Sequence, residues 1–420
     1  MYSSRRNSKG SSDAHQLPAC QCGPGHVLLY YLYTPLPPPQ SSLDSLDACA
    51  QDHTRLLQDL GMHGKVRISP EGINATVAGD LEACRAYMAR VTTSPIWLAA
   101  QPSSSSSSQD PTSFFKPTPG CKHAFPDISV RVVQEACPIG LPFLQPRKTQ
   151  TVKLSPAAFH ARVQAMLHDQ THGGHKSTTP LLLDVRNAYE SRLGHFEGAI
   201  LPPLRRFGSF PQWARANREA LRGRDILTYC TGGIRCEKAG SFLQDLQESW
   251  ALEDRDPTDD TKPLPPQVWE LQGGIHAYFA WLEQEMGRSD DPNLPPQSSP
   301  PTSLYKGYNY VFDARQILPP PSFLESPGKP PKDIPCLQCS SSACRVGKCV
   351  GKGCHLVFPL CSSCSLPDQQ VWCCDGCRLL DLTPPSSSSS PLTKPSRPLC
   401  SCELERQRSF HTPLSLPLPQ

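Results

Sequence analysis

Residues 181–185 read Leu-Leu-Leu-Asp-Val, an apolar run too short for a helix and without the alternation of a half-solvated strand. Such a run belongs to a strand covered on both faces, and covering both faces requires helices above and below a parallel sheet. Two comparable strands follow, Asp-Ile-Leu-Thr-Tyr-Cys at 225–230 and Val-Trp-Glu-Leu-Gln-Gly-Gly at 268–274. Helical spacing at 156–168, 210–222 and 236–249 separates them. Residues 151–286 are therefore expected to form an α/β domain, a parallel sheet with helices on both faces. Polar inserts at 171–180 and 253–266 read as its surface loops.

The region ahead of it has a different rhythm. Val27–Tyr33 reads as a strand and 44–60 as a helix. Residues 65–79 read as two strands around Ser-Pro-Glu-Gly, 80–90 as a helix capped by Asp80, and 127–133 as a last strand. That order predicts an α+β ferredoxin-like domain over 27–135, interrupted by a six-serine insert at 103–108. Residues 1–26 lack periodicity and are expected to be a disordered leader. The chain carries 47 prolines, and Pro/Ser-rich stretches mark a linker over 287–335 and a disordered tail over 381–420. No internal repeat is visible.

Charge and cysteine usage narrow the function classes. A net charge of +3 excludes a general polyanion binder, so any nucleic-acid contact must come from local patches such as Arg205-Arg206, 215–224, Arg345, Lys348 and Lys352. No apolar run is long enough to cross a membrane. The N-terminus lacks the apolar core of a secretory signal, which points to a cytoplasmic, reducing environment. A basic, Ser-rich transit peptide stays open as an alternative. In a reducing compartment, the twelve of 20 cysteines between Cys336 and Cys402 read as metal ligands or catalytic groups rather than disulfides.

Residues 229–238, Tyr-Cys-Thr-Gly-Gly-Ile-Arg-Cys-Glu-Lys, are the most informative stretch. A buried strand ends at Cys230, two glycines follow, and a helix begins near Cys236. Backbone N–H groups of a turn and a helix start converge there into an anion site, which lowers a thiol's pKa and makes a nucleophile of its thiolate. Cys230 is the expected nucleophile. Thr231, Gly232, Gly233, Ile234 and Cys236 form its loop, and Arg235 anchors that loop or a bound anion. Cys236 reads either as a resolving thiol or as a residue packed inward.

These residues, with Leu-Leu-Leu-Asp-Val-Arg-Asn-Ala-Tyr-Glu-Ser-Arg-Leu-Gly-His-Phe-Glu-Gly-Ala-Ile at 181–200 and Leu-Gln-Gly-Gly-Ile at 271–275, resemble a rhodanese domain over 151–286. The resemblance implies that Asp184 and Arg186 support the loop. It also implies that a six-residue loop from Cys230 to Arg235 handles sulfur, one residue shorter than in the related phosphatases. Val-Arg-Ile-Ser-Pro-Glu-Gly-Ile-Asn-Ala-Thr-Val-Ala-Gly at 66–79, Ile-Arg-Cys-Glu-Lys-Ala-Gly-Ser-Phe-Leu at 234–243 and Tyr-Lys-Gly-Tyr-Asn-Tyr-Val-Phe-Asp-Ala-Arg at 305–315 extend the likeness. Together they resemble the rhodanese-type tRNA wobble-uridine hydroxylases, which implies tRNA as partner.

The tail adds Cys336-x-x-Cys339, Cys361-x-x-Cys364 and Cys374-x-x-Cys377, with Cys344, Cys349, Cys354 and Cys373 between them. A two-residue gap brings both thiolates onto one tetrahedral ion, so a structural zinc-binding region is expected over 336–380. The expected ligands are Cys336, Cys339, Cys354, Cys361, Cys364, Cys373, Cys374 and Cys377, with the pairing unassigned and Cys400 and Cys402 left out. The alternative is a disordered tail of redox-active cysteines.

Two functional classes follow. One is an enzyme whose Cys230 thiolate either takes sulfur from a sulfane donor such as thiosulfate, as a persulfide, or supports hydroxylation of a tRNA wobble uridine. The other is a non-catalytic scaffold on a rhodanese fold, against which the intact Cys230-to-Arg235 loop argues. No DNA or membrane partner is expected. His195 and Glu197 are weaker acid/base candidates. Glu71, Asn74 and Thr76 lie in a turn that either contacts RNA or only shapes the chain.

Overall fold

The computed structural model describes residues 24–36, 45–100, 111–141, 144, 151–171, 179–253, 266–289, 301–321, 334–343, 345–351, 354, 356–366, 369–382 and 400–410. The serine insert, most of the leader, Cys344 and Lys352 lie outside these residues.

The first unit contains β1 (Pro24–Tyr33), α1 (Leu46–Asp59), β2 (His63–Ser69), β3 (Gly72–Gly79) and α2 (Leu81–Thr92). Short elements α3 (Pro95–Ala100), α4 (Pro111–Phe115) and β4 (Thr118–Cys121) lead to β5 (Ile128–Val132). Ser45 and Asp80 cap α1 and α2 by accepting from the N–H groups of Ala48 and Ala83. Alternation along β2 sends Val66 and Ile68 into the core with Leu28, Tyr30 and Tyr87, and leaves Lys65 and Arg67 exposed. The sheet order is β4-β1-β3-β2-β5. The ferredoxin-like expectation holds with one difference. The fourth-strand position beside β1 is taken by the short β4. The expected last strand, β5, pairs parallel with β2 at the far edge. The chain crosses from one edge of the sheet to the other through residues 122–127.

The second unit runs β6 (Val152–Leu154), α5 (Pro156–Thr171), β7 (Leu181–Asp184), α6 (Ala188–Ser191), β8 (Gly194–Phe196), α7 (Phe210–Ala216), α8 (Arg218–Leu221), β9 (Ile226–Tyr229), α9 (Ile234–Glu253), β10 (Val268–Leu271) and α10 (Gly274–Ser289). Its four-stranded sheet has the order β6-β10-β9-β7 and is parallel throughout. All four residues of β7 and of β9 are buried, as their apolar runs require. One face packs on Trp213, Phe210, Phe242 and Trp250, the other on Phe159, Val163, Tyr278 and Leu282.

The remaining elements are β11 (Tyr305–Gly307), β12 (Asn309–Tyr310), β13 (Ile317–Leu318), β14 (Arg345–Lys348), β15 (Val357–Leu360), α11 (Asp375–Leu382) and α12 (Ser401–Ser409). β11 pairs with β8, so the 305–310 segment belongs to the second unit's surface rather than to a free linker. Of the expected disordered tail, only residues 381–382 and 400–410 are described, and both stretches contain helix. Its helix α12 ends at Phe410, which is buried in the core cluster that also holds Phe207, Phe210 and Trp213. A helix with so few apolar residues gave no periodic signal, and one aromatic side chain supplies the packing.

Asp184 and Arg186 are fully buried at the end of β7. The guanidinium donates to both carboxylate oxygens, from Nη2 to Oδ2 at 2.7 Å and from Nε to Oδ1 at 2.9 Å, and to the Gly194 carbonyl at 2.6 Å. Tyr305 accepts from it at 3.2 Å, tying β11 to the sheet. Arg186→Met strands a buried carboxylate and is expected to cost about 3–5 kcal/mol, read as a lower unfolding midpoint. Adding Asp184→Asn should restore part of that loss; a single variant as stable as the wild type would refute this role.

Candidate active site

Cys230 is the first residue beyond β9, at the carboxyl edge of a central strand, where open parallel sheets present their ligands. The start of α10 fixes the loop's entry: Ile275 N–H donates to the Cys230 carbonyl at 2.9 Å and His276 N–H to the Thr231 carbonyl at 3.1 Å. The chain then curls through Gly232 and Gly233. At Gly233 φ is 100°, and its N–H points at the Cys230 sulfur from 3.1 Å. Ile234, Arg235 and Cys236 form the first turn of α9.

The sulfur has no exposed surface. Burial raises its pKa, but the Cys236 thiol donates to it, Arg235 lies beside it, and the N–H groups of Cys236 and Arg235 point to it. The balance lowers it from 9.0 to about 6. Cys236 moves the other way, because burial and the hydrogen bond it gives to Cys230 raise it well above 9.0. The two loop cysteines are thus a thiolate and its hydrogen-bond donor, not two equivalent nucleophiles.

Arg235 is held by Glu190, which has no exposed surface. The guanidinium donates to Oε2 at 2.6 Å and Oε1 at 2.7 Å, and also to the Thr231 hydroxyl at 3.1 Å. Glu190 further accepts from Thr231 Oγ1 at 3.2 Å and from Asn187 N–H at 3.1 Å, so both oxygens are satisfied. The sequence reading missed Glu190. Its signal was the Asn-x-x-Glu spacing of a capping box at 187–190.

The first unit roofs the loop. A Cβ on Gly232 would lie 2.8 Å from Leu29 Cδ2, and one on Gly233 would lie 2.9 Å from the Tyr31 hydroxyl. Tyr31 donates to Glu237 Oε1 at 2.6 Å and Tyr33 to the Ile234 carbonyl at 3.2 Å. Lys116 lies over the Tyr31 ring at 5.5 Å; burial lowers its pKa to about 8 against the pull of Cys230 and Glu237. Buried Lys238 sits between Glu71 at 2.8 Å and Glu135 at 3.1 Å. Burial pushes Glu270 to about 7, helped by Glu237, and pushes the nearby Cys137 thiol to about 12. Tyr31, Lys116 and Cys137 carried no local motif, because only domain packing brings them to the loop.

Other candidates are placed elsewhere. Asp184 and Arg186 stand one strand away, linked to the site through Val185 N–H on the Tyr229 carbonyl at 3.2 Å. His195 bonds the Ser191 carbonyl, and Glu197 pairs with Lys306 at the surface. Glu71 and Asn74 hold the segment after β5, Glu71 accepting from Ala136 N–H at 2.7 Å and Asn74 donating to the Ala136 carbonyl at 3.0 Å, and Glu71 also pairs with Lys238 of the second unit. Thr76 stays within the β3 ladder. The basic stretch at 215–224 is largely engaged too: Arg215 over Phe242, Arg218 with Glu253, Arg224 on the Thr179 carbonyl.

In the tail, Cys336, Cys339, Cys361 and Cys364 converge, as do Cys349, Cys354, Cys373 and Cys377. Cys374 joins Cys373, Cys400 and Cys402; Cys349, Cys400 and Cys402 are the grouped cysteines that the expected ligand set did not contain. Within each group the sulfurs lie within 4.8 Å of one another. Four sulfurs about 2.3 Å from a tetrahedral ion stand about 3.8 Å apart, so each group is compact enough to hold a metal.

Cys230 labelling by a small thiol reagent should rise with pH around a midpoint near 6, since only the thiolate reacts. Cys236→Ala removes a donated hydrogen bond and should move that midpoint upward, as followed by mass spectrometry of the Cys230 peptide. An unmoved midpoint would contradict this account of the thiolate.

Three family models match the chain: "UPF0176 acylphosphatase like domain" over residues 25–136, "Rhodanese-like domain" over 161–280 and "Rhodanase C-terminal" over 306–378. A tRNA uridine(34) hydroxylase of Streptococcus pneumoniae (strain P1031) is 31% identical over 299 residues, covering 69% of this chain and 70% of that protein. One of Bacillus licheniformis is 32% identical over 294 residues, covering 70% and 71%. A solved rhodanese-like domain from Anabaena sp. aligns at 19% identity and a TM-score of 0.21, covering 36% of this chain and 92% of that one. With an acylphosphatase-like unit ahead of a Cys230-centred rhodanese unit and a cysteine-rich end, this chain belongs to the rhodanese-like enzyme family whose curated bacterial members are named tRNA uridine(34) hydroxylase.

Proposed function

We propose that this chain hydroxylates the wobble uridine, position 34, of tRNA, with Cys230 as the nucleophile. The carrying observation is the Cys230 thiolate, buried in an N–H cradle and backed by Arg235, in a chain whose relatives bear that activity in their names. A thiolate adds to C6 of a uracil ring, forming an S–C6 bond and moving the electron pair of C5=C6 onto C5. The C5 carbanion takes the terminal oxygen of a hydroperoxide-class oxidant, the O–O bond breaks, and the leaving alkoxide is protonated. Loss of the C5 proton then expels Cys230 and restores the ring. Cys236, holding its proton, keeps the sulfur anionic until it attacks. Lys116 offers a donor on the roof side, beside the Tyr31 ring.

The RNA backbone fits a cavity of about 650 Å³ lined by Lys65, Arg67, Ser129 and Arg131 on the open face of β2 and β5. Glu135, the partner of Lys238 from the helix that follows the Cys230 loop, is among its lining residues. We place the reaction in the cytoplasm, where tRNA and reduced thiols coexist. Among the described residues no helix is long and apolar enough to cross a membrane. Zinc in the tail is a structural cofactor in this reading: it would crosslink thiolates that have few apolar neighbours.

The six-residue loop favours sulfur transfer as the second reading. In it Cys230 attacks the outer sulfur of thiosulfate, sulfite leaves with the bonding pair, and the persulfide passes its sulfur to an acceptor thiolate. Nucleoside mass spectrometry of tRNA from cells lacking the gene, restored with wild type or Cys230→Ser, tests the choice. We expect 5-hydroxyuridine derivatives to vanish with the gene and to return only with Cys230. Unchanged hydroxylation, with cyanide-labile sulfur on Cys230, would support sulfur transfer instead. The Arg67→Glu/Arg131→Glu variant should weaken tRNA binding and flatten its salt dependence.

A further inference from the structure

We infer that the tail holds a two-metal centre in which the Cys373 thiolate bridges both ions; this rests on the zinc reading of the tail. Two of the three thiol groups share Cys373, so seven distinct sulfurs face two tetrahedral positions that need eight. Toward one position, Cys373 Sγ lies 3.7 Å from Cys354 Sγ, and Cys349 Sγ lies 3.4 Å from Cys377 Sγ. Toward the other, it lies 3.5 Å from Cys402 Sγ, 4.0 Å from Cys400 Sγ and 4.0 Å from Cys374 Sγ. These spacings scatter around the edge of about 3.8 Å that a tetrahedron of thiolates on zinc requires. A sulfur on the shared corner of two such tetrahedra is a bridging ligand.

The surroundings favour thiolates. Cys349 accepts from Cys373 N–H at 3.4 Å, while Cys374 accepts from Cys377 N–H at 3.3 Å and lies 3.5 Å from Ser401 Oγ. Seven thiolates on two divalent ions leave three negative charges, and Arg205, 3.9 Å from Cys354 Sγ, offsets one of them. Arg205 also donates to the Cys354 carbonyl and to Glu403 at 2.9 Å, the residue after Cys402. Arg406 pairs with Glu403 and donates to the Pro203 carbonyl at 2.6 Å. The centre therefore pins α12, and with it Phe410, onto the rhodanese unit.

Together with the Cys336, Cys339, Cys361 and Cys364 group, the full chain should carry three divalent ions. Native mass spectrometry of the intact protein counts them. In a cadmium-113-substituted sample the Cys373 β-protons should couple to two cadmium resonances. Cys344→Ser should keep all three ions, whereas Cys400→Ser/Cys402→Ser should lose one and release α12 to proteolysis. Three ions with the double coupling support the bridge. Two ions, a single coupling at Cys373, or loss of an ion in Cys344→Ser overturn the bridge and leave zinc binding standing. Less than one ion per chain overturns zinc binding itself.

Discussion

A carboxylate with no exposed surface holds the Cys230 loop in shape. Glu190 takes both arms of the Arg235 guanidinium, the Thr231 hydroxyl and the Asn187 N–H, so every lone pair facing the loop is used. Two charges buried this deeply are tolerable only as a satisfied pair, and removing either would strand the other. The positive end of the pair lies beside Cys230, where a low dielectric lets it stabilise a thiolate far more than it could in water. The line of dependence runs further back. Tyr305 accepts from Arg186, Arg186 clamps Asp184, and Asp184 ends the strand that delivers Asn187 and Glu190 to the loop. A surface strand and the Cys230 thiol are therefore mechanically connected.

The roof gives the site a second owner. Leu29, Tyr31 and Tyr33 come from the acylphosphatase-like unit, yet they close over a loop belonging to the rhodanese unit. The Glu71–Lys238–Glu135 cluster joins the same two units with buried charges, which demand one docking geometry because any misfit leaves a charge unpaired. Glu135 of that cluster also lines the basic cavity on β2 and β5.

At the far end, the cysteine-rich tail solves a different problem. Its core is mostly sulfur, with Phe358, Leu360 and Val371 as its few buried hydrophobes, too little apolar area to fold by burial alone. Cysteine groups compact enough to hold a metal stand where a hydrophobic core would be. Arg205 and Arg406 carry the constraint to the rhodanese surface, where Phe410 completes an aromatic cluster.

The sequence by itself determined the elements whose signals are local. The apolar runs at 181–185 and 225–230 could only be doubly covered strands, and the Cys-Thr-Gly-Gly-Ile-Arg-Cys order could only be a strand-to-helix turn around a thiol. Both signals lie within a few residues, within reach of periodicity and turn chemistry. Glu190, Tyr31, Lys116 and Cys137 stand 40 to 200 residues from the loop they surround, and their partners are chosen by packing between units rather than by neighbours in the chain. The same holds for Cys400 and Cys402. A proline- and serine-rich stretch separates them from Cys377, and only the fold of α12 back onto the rhodanese surface returns them to Cys373 and Cys374. Local chemistry is written in adjacent residues, whereas a buried charge or a shared sulfur acquires its partner only when distant segments pack against each other.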